Sequence, residues 1–276
     1  MELNCFISGQ DPEVRDILTA ALLNLGYNGF IDDNEILTAY IDKDLFSEKA
    51  VCDLDIVKSF KIGYEHKKVM NKNWNEEWER NFSPVVIGKV CLIRAPFHPP
   101  QDEFPFELII EPKMAFGTGH HPTTAMIAEY LLGSDLKDIK LFDMGCGSGI
   151  LGILACKRGA ANVEMADNDP DAVQNTIENI GRNNARNARV HLGGTETIAG
   201  KEPDMITANI NRPVLLESMA TFYRELKQGG LLILSGIIRD DAQMIIDKAT
   251  TEGFLLQSTS SKLEWVMCVF SKPETK

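Results

Sequence analysis

The chain has 276 residues, 44% hydrophobic and 25% charged, which is the composition of an ordinary soluble protein with one large domain or two smaller ones. No apolar run approaches the roughly 18 residues of a membrane span, and the first ten residues contain no signal-peptide core, so we expect a cytoplasmic protein. The formal net charge of −12 argues against general nucleic-acid binding, which needs a basic face, and suits a basic protein partner better.

Residues 1–64 predict a small α+β domain with the element order βαββαβ. A strand over residues 3–7 precedes a helix that begins at Pro12, carries apolar residues at helical spacing and is closed by Gly26. Two short strands follow near residues 29–31 and 35–41, then a helix over about 44–57 and a strand over 60–64. None of these residues has catalytic spacing, so we interpret the domain as a recognition module.

Residues 65–83 predict a linker helix. Trp74 and Trp78 are four residues apart and therefore lie on one helical face, which we expect to pack on a neighbouring domain.

Residues 84–113 predict short strands interrupted by prolines, and a loop rich in glycine, hydroxyls and histidine follows over residues 114–124. The loop reads M-A-F-G-T-G-H-H-P-T-T and leads into an apolar helix that begins near Pro122. Because it comes just before a glycine-rich turn, we expect the loop to border a ligand through Phe116, Gly117 and Thr118. Adjacent histidines in an extended loop point apart, so His120 and His121 predict a loop role, with a lining position in the pocket as the minority alternative.

From residue 140 onward, strands and helices alternate, which predicts a doubly wound, mostly parallel sheet. The predicted strands cover residues 141–143, 162–166, 189–192, 203–208, 231–234, 254–259 and 264–270. No helix separates the last two strands, so we expect an antiparallel pair at the edge of the sheet.

The first of these strands ends in a glycine turn. Residues 141–152 read L-F-D-M-G-C-G-S-G-I-L-G, with Asp143 at the strand end and glycines at 145, 147 and 149. A turn this sharp requires residues without a Cβ, and the helix that follows offers unpaired N–H groups and a positive dipole end. The turn therefore predicts a cradle for a nucleotide-type cofactor, with Gly145 and Gly147 in contact with it. Cys146, inside the turn, predicts a small buried residue that fits the turn rather than a nucleophile.

Ligands of such sheets bind at the carboxyl ends of the strands, which places Asp143, Asp167 and Asn209 at the predicted site. Asp167 lies 22 residues after Gly145, about the spacing at which a carboxylate accepts hydrogen bonds from the two hydroxyls of a ribose. Asp169 with Pro170 already supplies a helix cap, which frees Asp167 for the ligand.

The glycine spacing argues against a dinucleotide, because the third glycine comes one residue earlier than in G-x-G-x-x-G. The form D-x-G-x-G-x-G followed by a seven-strand arrangement resembles class I S-adenosylmethionine-dependent methyltransferases. Together, the motifs A-F-G-T-G-H-H-P-T-T, D-M-G-C-G-S-G-I-L, A-D-N-D-P and A-N-I across residues 114–210 resemble those of the family that methylates ribosomal protein L11.

This resemblance implies a Rossmann-like seven-stranded class I methyltransferase domain over residues 84–276, behind a ferredoxin-like N-terminal domain that holds ribosomal protein L11. It also implies S-adenosylmethionine as methyl donor, no metal, a monomer, and cofactor contacts through Thr124, Gly145, Asp167 and Asn209. The acceptor is then a lysine ε-amine or an N-terminal α-amine. We further hypothesise that Asn209 orients this amine and that Phe116 either walls the sulfonium region or packs under the loop.

One departure from the family pattern concerns the residues after Asn209. The family usually continues Asn-Ile-Leu-Ala, whereas this chain has Asn211, Arg212 and Pro213 after Ile210, which changes the expected acceptor pocket.

Three alternatives stay open at this stage. A methyltransferase for nucleic-acid amines should carry paired prolines and an aromatic residue after Asn209, which this chain lacks. A nicotinamide oxidoreductase is opposed by the glycine spacing, and a non-catalytic cofactor-binding module by the intact set of strand-end residues.

Overall fold

The computed structural model describes residues 1–7, 12–33, 35–67, 83–113, 117 and 119–274. The chain divides into two compact units, Met1–Asn81 and Phe82–Lys276. The predicted linker helix with Trp74 and Trp78, and the loop residues Phe116 and Thr118, lie outside the described residues. Within the described ranges, no helix has the length and apolar character needed to cross a membrane.

The first unit is a four-stranded antiparallel sheet in the order β2-β3-β1-β4, with helices on one face. Its elements are β1 (Glu2–Phe6), α1 (Pro12–Asn24), β2 (Gly29–Asp32), β3 (Ile36–Tyr40), α2 (Glu48–Cys52), α3 (Asp55–Ser59) and β4 (Gly63–Lys67). Leu3, Cys5, Leu18 and Leu22 form part of the core between the sheet and the helices. The ferredoxin-like description stays a prediction.

Two details of the first unit differ from the sequence prediction. The single helix expected over residues 44–57 is two short helices, because Leu54 between them has extended backbone (φ −61°, ψ 125°). The last strand begins at Gly63 rather than near Phe60, because α3 continues to Ser59 and Lys61 turns with a positive φ of 48°. The predicted domain boundary at residue 64 therefore falls inside β4.

The second unit contains a small sheet and a large one. The small sheet, in the order β5-β6-β7, consists of β5 (Val85–Ile87), β6 (Cys91–Arg94) and β7 (Phe106–Ile109). The large sheet has seven strands in the order β10-β9-β8-β11-β12-β14-β13, and β14 runs antiparallel to both of its neighbours. The seven-stranded sheet and the antiparallel edge pair are thus confirmed.

The strands of the large sheet and the helices between them are as follows: α4 (Pro122–Gly133), β8 (Lys140–Met144), α5 (Ile150–Lys157), β9 (Asn162–Asp167), α6 (Pro170–Arg182), β10 (Ala188–Leu192), β11 (Met205–Asn209), α7 (Arg212–Glu225), β12 (Leu231–Ile238), α8 (Arg239–Glu252), β13 (Leu255–Lys262) and β14 (Trp265–Ser271). A short 3-10 turn, Thr195–Ile198, precedes β11.

The central strands are apolar on both faces because helices cover both. In β8, Leu141 belongs to the core shared with α4 and α5, whereas its neighbour Phe142 belongs to the core shared with α7 and α8. Alternate residues of a strand point to opposite faces, so one strand supplies both cores.

The chain reverses its winding at β8, which lies between β9 and β11. Helices that connect strands on the two sides of this point leave a crevice at the carboxyl ends of the strands, where ligands of open α/β sheets bind. The fold thus brings the ends of β8, β9 and β11 together.

Candidate active site

The glycine turn between β8 and α5 needs backbone conformations that are strained for any residue with a Cβ. Gly145, Gly147 and Gly149 all have positive φ, at 68°, 56° and 79°. The N–H groups of Gly145 and Cys146 both donate to the carbonyl of Ala166 in β9, at 2.8 and 3.0 Å. The N–H of Gly147 donates to Asp167 Oδ2, so neither Gly145 nor Gly147 offers a free N–H to a ligand. Their contribution is the space that the missing side chains leave.

Helix α6 holds the turn from the other side. Thr176 Oγ1 donates to the carbonyl of Gly147 at 2.8 Å, and Asn179 Nδ2 donates to the carbonyl of Ser148 at 2.9 Å. A Cβ on Gly149 would lie 2.8 Å from Thr176 Cγ2. The third glycine of the motif therefore permits close packing of α6 against the turn.

Three buried asparagines, Asn175 and Asn179 in α6 and Asn183 at its C-terminal cap, continue this contact to the small sheet. Asn183 accepts from the N–H of Ile109 and donates to its carbonyl, at 2.9 and 2.7 Å, and Asn179 Oδ1 accepts from the N–H of Glu111 at 2.9 Å. Asn175 Nδ2 donates to the carbonyl of Glu111 at 3.4 Å. These side chains hydrogen-bond the backbone N–H and carbonyl groups at the end of β7 and just after it. The sequence analysis missed them, although a four-residue spacing places side chains on one face of a helix.

Asp167 ends β9 and joins the turn to α6. Its Oδ2 accepts from the N–H of Gly147 at 2.8 Å and its Oδ1 from the N–H of Asp169 at 3.0 Å. Each carboxylate oxygen keeps a second lone pair, so the capacity to accept from two hydroxyls remains. Asp169 caps α6 by accepting from the N–H of Asp171, as the sequence predicted.

A cavity of about 530 Å³ opens at the ends of the strands, within the size range of cofactor sites. Four of the predicted site residues line it: Gly145, Gly147, Asp167 and Asn209. Further lining residues come from the loop after β10 and from the start of α7: Gly193, Gly194, Thr195, Glu196, Asn211, Val214, Glu217 and Ser218. The strand-end rule applied to β10 would have found the first four, because Gly193 follows that strand directly.

Thr124, a predicted cofactor contact, is not among the residues that line the cavity, but it contacts Asn209, which is. Asn209 Nδ2 donates to Thr124 Oγ1 at 3.1 Å, and Thr124 is only 1% exposed. Asn209 Oδ1 is buried and has no hydrogen-bond partner among the residues that the structure describes. A buried acceptor without a partner costs free energy unless a ligand supplies a donor.

Asp143 lies beneath the glycine turn and is 1% exposed, and it is not among the residues that line the cavity. Its Oδ1 accepts from Thr207 Oγ1 at 2.6 Å, while its Oδ2 is buried without a partner in the described part of the chain. Burial raises the pKa of this carboxyl to about 7, although the hydrogen bond from Thr207 lowers it.

A hydrogen bond joins the loop before α4 to the glycine turn. Ser148 Oγ donates to the carbonyl of Gly117 at 2.5 Å, and a Cβ on Gly117 would lie 2.8 Å from that hydroxyl. His121 caps α4 and packs edge-on against Trp265, and His120 Nε2 contacts the carbonyl of Ser83. The predicted loop role of both histidines is confirmed.

Burial raises the pKa of the Cys146 thiol, in keeping with a packing role.

The unusual residues after Asn209 have structural roles. Asn211 caps α7, its Oδ1 accepting from the N–H of Val214 at 3.2 Å, and Arg212 pairs with Asp241 of α8. Asn211 also lines the cavity, so the departure adds an amide to its wall.

The described part of the chain contains no group of three or more His, Cys, Asp or Glu residues placed to hold a metal ion. The order of the seven strands and a ligand crevice beside the glycine turn agree with the class I S-adenosylmethionine-dependent methyltransferase fold that the sequence motifs resemble. The cavity and the remaining lone pairs of the Asp167 carboxylate fit that cofactor.

The chain belongs to the family described as Ribosomal protein L11 methyltransferase (PrmA), whose model matches residues 13–273. The ribosomal protein L11 methyltransferase of Porphyromonas gingivalis is 40% identical over 266 residues, which cover 95% of this chain and 92% of that protein. That of Bacteroides thetaiotaomicron is 38% identical over 269 residues, with 94% of each chain covered. A solved ribosomal protein L11 methylase from Lactobacillus delbrueckii subsp. bulgaricus shares the fold, with a TM-score of 0.66 at 23% identity over 70% of this chain and 100% of that one.

Family membership confirms the resemblance, the methyltransferase activity and the methyl donor that the sequence motifs implied. None of these comparisons tests the roles of individual site residues, which stay predictions.

Proposed function

We propose that the chain transfers methyl groups from S-adenosylmethionine to amino groups of ribosomal protein L11, on lysine ε-amines, the N-terminal α-amine or both. The acceptor protein follows from the relatives, which are named for it. The observation that carries the chemistry concerns Oδ1 of Asn209, a residue that lines the cavity next to Thr124: this oxygen is buried and has no hydrogen-bond partner in the described part of the chain.

When bound, S-adenosylmethionine supplies a methyl group on a sulfonium, already activated for transfer to a nitrogen lone pair. The protein has to hold a neutral amine in line with that methyl group. Asn209 Oδ1 accepts an N–H of the amine in this proposal, so that the lone pair faces the methyl. The carboxylates of Asp167 and Asp169 and of Glu196 and Glu217 line the cavity and attract the cationic form of the acceptor toward it. The ammonium then releases a proton to water, which gives the neutral amine whose lone pair takes the methyl.

The residues proposed to hold the cofactor are those that the structure brings to the turn. Asp167 accepts from the ribose hydroxyls, and Gly145 and Gly147 allow close approach. Thr124 acts through Asn209, and Gly117 acts through Ser148. Asp143 supports the turn from beneath. Phe116 and Thr118, which lie outside the described residues, stay predicted cofactor contacts.

We assign substrate recognition to the first unit, within residues 1–64. The sheet face opposite its helices carries Phe6 (46% exposed) and Ile31 (58% exposed), with Ile36 and Tyr40 half-buried beside them. Exposed apolar residues grouped on one face favour a protein partner. Acidic residues outnumber basic ones in the first 67 residues, which suits a basic ribosomal protein.

The proposal also holds that the protein acts as a monomer in the cytoplasm, where ribosomal proteins are made. Light scattering coupled to size-exclusion chromatography should give a mass near 30.7 kDa. A mass of twice that value would contradict the monomer.

The experiment is transfer of labelled methyl from S-adenosylmethionine to purified ribosomal protein L11, compared with other basic proteins and with ribosomal RNA. We expect label in L11 alone. Label in another protein or in RNA, with none in L11, would show that the acceptor is that other protein or a nucleic-acid amine. Variants Phe6→Ser and Ile31→Ser should raise KM for L11 by about tenfold, the effect of losing 1.4 kcal/mol of contact, with unchanged cofactor affinity.

Leu263→Ser is the matched control for these variants, because Leu263 is 70% exposed but lies in the second unit, between β13 and β14. It should leave KM for L11 unchanged. Equal effects of all three substitutions would count against the sheet face as the docking surface.

A further inference from the structure

Ile210, the residue after Asn209, lies between Gly145 of the glycine turn and Gly236 of β12. A Cβ on Gly145 would overlap Cγ2 of Ile210. A Cβ on Gly236 in β12 would lie 2.9 Å from the carbonyl carbon and 3.0 Å from the nitrogen of Ile210, and closer still to its carbonyl oxygen. The side chain of Ile210 thus contacts the glycine turn, while its backbone contacts β12.

Gly236 occupies an irregular part of β12. The pairing of β12 with β14 shifts register between Leu234 and Ile237, and Gly236 has a positive φ of 87°. Ser235 Oγ donates to the carbonyl of Val266 at 2.8 Å, which anchors the irregular part to β14. Because Asn209 is paired with Ser235 across the parallel strands, the bulge lies directly beside Ile210.

We propose that Ile210 is a positioning residue, wedged between the glycine turn and the β12 bulge, which sets where Asn209 stands relative to the methyl donor. The side chain of Asn209 has one hydrogen bond, to Thr124, in the described structure. The pairing of Asn209 with Ser235 holds its backbone on the side of β12 only. Ile210 fills the space on the other side, because its side chain contacts the glycine turn.

The two contacts differ in kind, which makes the proposal testable by rescue. Gly145 faces the side chain of Ile210, so an alanine there can be relieved by shortening that side chain. Gly236 faces the backbone of Ile210, so an alanine there cannot be relieved in the same way.

The test uses the full chain and the variants Gly145→Ala, Gly236→Ala and Ile210→Ala, with the double variants Gly145→Ala/Ile210→Ala and Gly236→Ala/Ile210→Ala. Calorimetric titration measures S-adenosylmethionine affinity, and methyl transfer to L11 gives kcat and KM. Gly200→Ala is the matched control, because Gly200 has a similar positive φ of 70° and nothing within 4 Å of an added Cβ.

We expect Gly145→Ala to weaken cofactor binding by about tenfold or more, as overpacking does, and Ile210→Ala to restore most of that loss. Gly236→Ala should lower kcat by about tenfold while KM for the cofactor changes less than about threefold, and Ile210→Ala should not restore it. Gly200→Ala should change neither quantity, although all three glycine variants should lower the unfolding midpoint because of their positive φ.

Rescue of both glycine variants by Ile210→Ala, or of neither, would overturn the wedge. So would a Gly236→Ala enzyme with unchanged kcat. The kcat arm rests on the proposed function, but the cofactor-affinity arm does not. Suppose that the unmodified enzyme does not methylate L11 but Ile210→Ala still restores cofactor affinity to Gly145→Ala. The proposed acceptor would then be rejected, whereas the contact between Ile210 and the glycine turn would stand.

Discussion

Asn209 at the end of β11 donates through Nδ2 to Oγ1 of Thr124 in the first turn of α4, at 3.1 Å and across 85 residues of sequence. This bond links the start of α4 to the carboxyl end of β11. With Nδ2 donating to Thr124, Oδ1 has no hydrogen-bond partner among the described residues. Oδ1 is the atom that the proposed reaction needs.

Replacing Asn209 by alanine should therefore reduce turnover much more than stability. We expect kcat for L11 methylation to fall by about 100-fold, as when a positioned hydrogen-bonding group is removed from an active site. The free energy of unfolding should change by only about 1 kcal/mol, because the side chain has one internal hydrogen bond. Steady-state kinetics and urea denaturation measure the two effects.

Thr124 offers a paired control for this prediction. Thr124→Val removes the acceptor of the Asn209 bond at nearly constant volume and should reproduce part of the kcat loss, whereas Thr124→Ser keeps the hydroxyl and should lose little. Unchanged turnover in Asn209→Ala, or equal effects of valine and serine at position 124, would contradict the assigned role.

Asp167→Asn should weaken cofactor binding. The substitution turns one carboxylate oxygen into an NH2 group that faces a backbone N–H, either that of Gly147 or that of Asp169, and it removes lone pairs available to a ribose. We expect the dissociation constant for S-adenosylmethionine, measured by calorimetric titration, to rise by about 10- to 100-fold. Asp171→Asn, an exposed carboxyl in the first turn of α6, is the control and should bind normally. Normal affinity in Asp167→Asn would rule out the ribose contact.

Asp143 should make stability depend on pH near neutrality. Its pKa is raised to about 7, mainly by burial, whereas an unfolded aspartate titrates near 3.9. Between these values the folded protein binds a proton that the unfolded chain does not, so the free energy of unfolding falls as pH rises from about 4 to 7. The stabilisation is fully present below the unfolded pKa and is lost as pH rises through the folded pKa.

Asp143→Asn does not titrate and keeps the shape, so the variant should gain stability relative to the unsubstituted chain as pH rises, by up to about 4 kcal/mol in total. Urea denaturation at several pH values between 4.5 and 8.5 measures the difference. Asp171→Asn should show no such pH-dependent gain. A constant difference between Asp143→Asn and the unsubstituted chain would show that Asp143 does not titrate in this range.

Much of the large sheet was predictable because its signals are local. The strands are short apolar runs separated by helices with regular spacing, and the topology rules for parallel sheets leave few arrangements. The ends of those strands then gave Asp167 and Asn209 by the rule that ligands bind at the carboxyl edge. These two residues line the cavity, as predicted.

What could not be predicted depends on contacts between distant segments. The side chain of Asp143 accepts a hydrogen bond from Thr207, 64 positions away, instead of lining the cavity. Sequence spacing does not reveal which way the side chain points. The same is true of Ile210, which reads as an ordinary apolar residue until Gly145 and Gly236 are placed on either side of it. In the first unit, the helix over residues 44–57 was wrong because its apolar spacing does not reveal the extended backbone at Leu54.

The asparagine face of α6 shows the same limit and carries the last prediction. Asn179 donates to the carbonyl of Ser148 in the glycine turn and accepts from the N–H of Glu111 beyond β7, and it is fully buried. Asn179→Ala leaves both backbone groups buried without these partners, so the free energy of unfolding should fall by about 2 to 4 kcal/mol. Cofactor affinity should fall as well, because the turn loses one of its hydrogen bonds to α6. Gln174→Ala, on the exposed face of the same helix, should change stability by about 0.5 kcal/mol or less. A loss of stability in Asn179→Ala with normal cofactor affinity would show that Thr176 alone suffices to hold the turn, and no loss of either would contradict the bridging role.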